Sequence, residues 1–166
     1  GALALSGEVY IRRGKFPEAA ENLARLAMLD DAPTEQRLMS GIAAVDLFEN
    51  KLGQTERALE VLLGLYRAGL STLPVRERLA RTAARVGEWR AATDVLEELM
   101  QQRETAEARI EAARLAMAIH RDRLGDLVGA EAATARLLAE APDDAEAIDV
   151  VLEGATAACL VSVFVL

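Results

Sequence analysis

An all-α fold of helical hairpins is predicted by three features of the sequence. Gly14, Gly53, Gly87 and Gly125 each have an alanine five residues on (Ala19, Ala58, Ala92, Ala130) and a leucine twelve on (Leu26, Leu65, Leu99, Leu137). These glycines are separated by 39, 34 and 38 residues, the period of a helix–turn–helix repeat. Apolar residues make up 52% of the chain but aromatics only 4%. Alanine and leucine, the strongest helix formers, dominate that share, and β-branched residues are sparse until the last dozen positions.

Taken in order, Leu3, Gly7, Tyr10 and Ile11 recur at helical spacing up to Gly14, with Arg12 and Arg13 in the last turn. Pro17 suits a first helical turn, and Ala19, Ala20, Leu23, Leu26 and Ala27 give the next helix one apolar face. Asp30-Asp31-Ala32-Pro33 is a junction, after which Thr34 is the expected cap of a long helix reaching Leu52. Gly53-Gln54-Thr55 turns that helix into a second, Glu56 to Ala68. The third hairpin starts at Ser71–Pro74, turns at Gly87 and ends near Gln102. The fourth runs from Thr105 through His120 to Leu124, turns at Gly125 and ends at Ala141-Pro142. A last helix is expected from Asp143, with Glu146 completing a capping-box-like pattern. The chain thus divides into repeats at 3–32, 34–70, 73–103 and 105–141 and a helix at 143–154, a single array over 1–154 followed by an apolar tail at 155–166.

The reason for the spacing is steric. Two helices joined by a short turn cross closely only where side chains are small. Ala19, Ala58, Ala92 and Ala130 supply one side of that contact, and Gly7, Ala80 and Ala118, seven residues before a turn glycine, the other; Asp46 is the exception. Two residues past the glycine stand Phe16, Trp89 and Leu127, bulky enough to fill the space beside the turn, with Thr55 breaking the series. A lone hairpin leaves its apolar face open, so neighbours stack into an α-solenoid.

These residues resemble the tetratricopeptide repeat over roughly residues 3 to 142. The match is good for Gly7-Tyr10-Gly14-Phe16-Ala19-Leu23 and for Gly87-Trp89-Ala92-Leu96. It departs at Glu49 and Arg121, where the family usually has an aromatic, and at the four leucines that replace its small residue late in the second helix. The resemblance, to a divergent bacterial member, implies a right-handed superhelix. It further implies a concave wall of first helices, in proteins that bind peptides or partner domains and seldom do chemistry.

A base stands two residues before every turn glycine: Arg12, Lys51, Arg85 and Arg123. In the family that position tends to face the groove, which would give a basic stripe for acidic segments or a C-terminal carboxylate. A base in a helix's last turn also meets the helix dipole, which accounts for the same pattern without a ligand. The net charge of −8 argues against nucleic acid as a partner.

Enzymatic signals are close to absent, and no cofactor or metal site is expected. His120 is the one histidine, too few for a two-histidine metal site, and is expected to be structural. Cys159 lies in the apolar tail without a histidine near it in sequence, which favours inert packing over nucleophilic chemistry. The acid pairs Asp30-Asp31, Glu97-Glu98 and Asp143-Asp144 fit caps and solvated faces. Trp89 and Phe16 fit turn packing better than a stacking site for a ligand.

The tail is too short to span a bilayer as a helix. It forms either a helix folded onto the last hairpin or a strand-prone end open to self-association. Opening on Gly rather than Met, the chain reads as a piece of a longer protein, with no signal-peptide pattern at its start and a cytoplasmic setting expected. The function expected is a non-enzymatic protein-interaction scaffold. The alternatives are a regulatory arm of a larger signalling or transcriptional protein and an envelope-associated assembly factor.

Overall fold

The computed structural model describes residues 9–101 and 105–164, with side chains as far as 154. Residues 9–12 are helical, and after them come α1 (Phe16–Ala27), α2 (Thr34–Asn50), α3 (Thr55–Arg67), α4 (Leu73–Val86), α5 (Trp89–Gln101) and α6 (Ala106–Ile119). A π-helical turn (His120–Leu124), α7 (Leu127–Glu140) and α8 (Ala145–Phe164) complete the order. No strand occurs among the described residues. Contacts gather into two compact units, Gly1–Glu88 and Trp89–Leu166.

In the first unit each helix packs on its neighbours in sequence, α1 on α2, α2 on α3 and α3 on α4. The 3.6-residue period of the apolar positions makes this work: Ala20, Leu23, Ala24 and Ala27 line one side of α1, and Leu79, Ala80 and Ala83 one side of α4. Ala19 and Ala58, early in α1 and α3, are fully buried, and so is Leu65. The α2 backbone comes so near Leu65 that a Cβ at Gly41 would sit 2.7 Å from its Cδ1. Arg37 of α2 ties the junction before it, donating from Nε to the Ala27 carbonyl (3.0 Å) and pairing with Asp30 (3.3 Å).

The second unit repeats the scheme, α5 on α6, α6 on α7 and α7 on α8. Its core is rich in alanine, with Ala92, Ala112, Ala113, Ala116, Ala130, Ala133 and Ala147, and Val95, Leu96, Leu99, Met117, Ile119 and Leu137 between them. Thr134 is buried with its hydroxyl satisfied, donating to the Ala130 carbonyl one turn back (2.7 Å).

The turn glycines 14, 53, 87 and 125 all have positive φ, between 61° and 90°. At Gly87 this left-handed residue lets the Glu88 N–H close on the Ala83 carbonyl (2.9 Å), which stops α4.

Several boundaries differ from those the sequence suggests. Thr34 is the first residue of α2 rather than its cap; Pro33, extended at φ −55° and ψ 137°, turns the chain into the helix. The cap of α8 is Asp144 rather than Asp143, its Oδ1 accepting from the Ala147 N–H (3.0 Å), and Glu146 is left free to pair with Arg121. The backbone of 155–164 continues α8. Leu3, Gly7 and the side chain of Cys159 lie outside the described residues. The first helix of the fourth hairpin does not stay α-helical to Leu124 but widens into the π-helical turn.

His120 is buried in that turn, its Nδ1 2.9 Å from Asp126 Oδ2. Asp126 in turn caps α7 by accepting from the Gly129 N–H (3.1 Å). That N–H, with His120 beside it, holds the Asp126 carboxyl below the usual range. A Cβ on Gly129 would run into the imidazole ring and the Asp126 carboxylate alike. Gly129→Ala is therefore expected to lower stability by about 1–3 kcal/mol through overpacking, outweighing the better helix propensity of alanine. In a His120→Ala background the same change should cost less in denaturant titrations, with the Asp126 carboxylate the remaining obstacle. An equal loss in both backgrounds would show that the ring is not the obstacle.

Candidate interaction surface

The four bases before the turn glycines do not share one environment. Lys51 holds its Nζ 5.9 Å from the centroid of the Phe16 ring, and Arg123 holds its guanidinium 5.2 Å from that of Trp89. The two contacts obey one rule: a base two residues before a turn glycine covers an aromatic two residues after the preceding turn glycine. Each is a cation over a π-face, worth about 0.5–1 kcal/mol at an exposed site. At the corresponding place before Arg85 stands Thr55, which offers no ring. Arg85 instead approaches Glu49, Nη1 to Oε1 at 3.5 Å, and its side chain remains 62% exposed. Arg12, ahead of α1, is exposed.

Leu127 occupies the same position as Phe16 and Trp89 but does not fill the space beside its turn; it is 70% exposed. The small-residue positions are more uniform, with Ala19, Ala58, Ala92 and Ala130 all buried. Asp46, the exception seven residues before Gly53, is a partner of Arg78 (2.6 Å).

Glu49 is the centre of the charged cluster on the first unit. It lies late in α2 with its side chain only 8% exposed. Its Oε2 accepts from Arg78 Nη2 (2.7 Å) and Nε (3.2 Å), and its Oε1 accepts from the Thr82 hydroxyl (2.8 Å). Burial works to raise its pKa, but the hydrogen bonds from Arg78 and Thr82 and the charges of Arg78 and Arg85 win and hold it below the ordinary value. All of these partners belong to α4, so the cluster joins the first helix of one hairpin to the first helix of the next.

The second unit has comparable ties. Arg114 of α6 meets Asp144 at the start of α8 (2.6 Å), and Arg121 meets Glu146 (3.4 Å). Glu49 and Arg121, the two departures from the expected aromatic, are thus both charged links toward the following first helix. Arg78, Arg81 and Thr82 were not singled out by sequence; the acid in place of an aromatic at Glu49 was the signal that leads to them.

Residues of α2 help to line two open recesses. One, of about 450 Å³, is largely apolar and is lined by Ile11, Leu23, Pro33, Met39 and Ala43, with Met39 66% exposed. The other, of about 400 Å³, is lined by Glu49, Pro74, Glu77, Arg78, Arg81 and Arg85. Arg81 is 65% exposed, donates from Nε to the Glu77 carbonyl (3.3 Å) and makes a long pair with the Glu77 carboxylate (3.6 Å). Arg78 is saturated by Asp46 and Glu49, so Arg81 and Arg85 are the guanidiniums of this recess that face solvent most openly.

Among the described residues no group of three His, Cys, Asp or Glu side chains is placed to hold a metal ion. Nor is any helix among them long and apolar enough to cross a membrane. The chain matches no protein-family model and no curated protein sequence.

Glu49→Gln is expected to cost about 1–3 kcal/mol at neutral pH, since a charge-assisted acceptor is lost beside two arginines. Because the folded pKa is depressed, this contribution is complete above the ordinary value of 4.5 and is lost as pH falls through the folded value. The variant should therefore show a shallower loss of stability on acidification, read from denaturant midpoints across pH. Arg123→Ala should change the emission of Trp89, the one tryptophan of the chain, without unfolding it.

Proposed function

We propose that the protein is a non-enzymatic interaction module of the tetratricopeptide type, each unit a segment of a right-handed α-solenoid. Its first-helix face then binds a segment of another protein. The observation that carries this reading is the pair of recesses that α2 helps to line, one apolar around Met39 and Ile11 and one arginine-lined around Arg81 and Arg85 at the Glu49 end. A ligand suited to both has an apolar anchor and acidic residues. Nucleic acid fits poorly, because the chain carries a net charge of −8 and the arginine-lined recess also holds Glu49 and Glu77.

The separation sets the spacing of the ligand. From Met39 to Glu49 along α2 is about 15 Å at 1.5 Å per residue. An extended chain covers that in roughly four or five residues. A fluorescein-labelled decapeptide with one leucine and a pair of glutamates five residues further on is therefore the natural probe.

Binding is expected by fluorescence anisotropy, weakening as salt rises. Met39→Glu should weaken it about tenfold or more by placing a charge in the apolar recess. Arg81→Glu with Arg85→Glu should do the same by reversing the charge of the other. A decapeptide that fails to bind, or binds the double variant as tightly as the parent protein, would sink the proposal.

A further inference from the structure

The rule relating bases to aromatics has a counterpart at the one turn that breaks it. We infer that the residue opening each second helix decides whether the next hairpin's terminal base is held against the chain or presented to a ligand, and that Thr55 makes Arg85 the acid-recognising residue of the first unit. The inference rests on the protein-binding reading above for its ligand, but not for the rule itself.

Three matched positions carry it. Phe16, Thr55 and Trp89 are the first residues of α1, α3 and α5, each two past a turn glycine. The bases that follow one hairpin later are Lys51, Arg85 and Arg123, each two before a turn glycine. Where the opening residue is aromatic, the base lies over its ring, at 5.9 Å and 5.2 Å. Where it is Thr55, the guanidinium swings to the recess beside α2, 3.5 Å from a Glu49 already occupied by Arg78 and Thr82. Glu49 therefore orients Arg85 without saturating it. A guanidinium has five N–H donors in a planar fork, and a single long ion pair leaves most of them for an incoming carboxylate. Arg81, one helical turn earlier on α4, stands beside it with a similarly long pair.

Restoring an aromatic at position 55 should withdraw Arg85 from the recess. Thr55→Trp is conservative for the helix, since Trp89 and Phe16 already occupy the same place in α5 and α1. In a Trp89→Phe background the new indole is the sole tryptophan. Its exposure to acrylamide is expected to rise when Arg85→Ala is added, because the covering guanidinium is gone. Quenching that does not respond to Arg85→Ala overturns the rule.

The ligand half is tested with the leucine–glutamate decapeptide. Thr55→Trp and Arg85→Ala are each expected to weaken it about fivefold to tenfold, and the two together no more than either alone. A parent protein that binds the decapeptide equally well after its glutamates become glutamines overturns the role of Arg85 while leaving the groove reading intact. Binding to neither peptide overturns both that role and the groove reading, and the quenching result still decides the rule on its own.

Discussion

Backbones that turn back on themselves can approach only as far as the smallest side chain between them permits. In both units that limit is set by alanine. Ala19, Ala58, Ala92 and Ala130 lie in the first turn of the second helices of their hairpins and are almost wholly inaccessible. Close approach then lets the leucines further along the same helices reach the core, and Leu65, Leu99 and Leu137 are buried to the same degree. Packing of this kind tolerates little added volume, which is why Gly41 sits directly against Leu65. With so few aromatic residues, the chain obtains its apolar burial from many small contacts rather than from a few large rings.

Polar chemistry on this scaffold divides into two kinds. Salt links such as Glu49–Arg78 and Arg114–Asp144 run from one first helix to the next and are at least half shielded. Others, such as Arg57 of α3 with Glu21 of α1, join second helices at the surface and contribute little individually. The shielded ones bear on recognition. A carboxylate held almost out of water by two hydrogen-bond donors fixes the arginines around it, so their guanidiniums are pre-positioned and lose less freedom when a partner docks.

Much of the architecture was legible because its signals are local. Helix content, the turn glycines and the alanine positions follow from spacing and side-chain size. Boundaries were less so. Pro33 and Thr34, or Asp143 and Asp144, are adjacent candidates for one cap, and the choice depends on which φ, ψ the neighbouring helix imposes. The basic series was visible as a pattern, but its meaning was not. Whether Lys51 meets Phe16 or Arg85 meets Glu49 depends on residues a full hairpin away, and no single repeat contains both partners. Glu49 itself was noticed only as a departure from an aromatic; its burial among arginines is a tertiary fact.

The π-helical turn between α6 and α7 carries an evolutionary consequence. A π turn is an α-helix holding one residue more than its regular winding needs. Here the surplus is closed by Gly125 in a left-handed conformation and by the Asp126 N–H returning to the His120 carbonyl (2.9 Å). Loss of one residue between 120 and 124 could be absorbed by rewinding to ordinary geometry, with α7 kept in phase. The equivalent deletion in α4, regular to Val86, would rotate every following side chain by about 100°. Length variation among descendants of this sequence should accordingly collect in the fourth hairpin, where the helix stores its own slack.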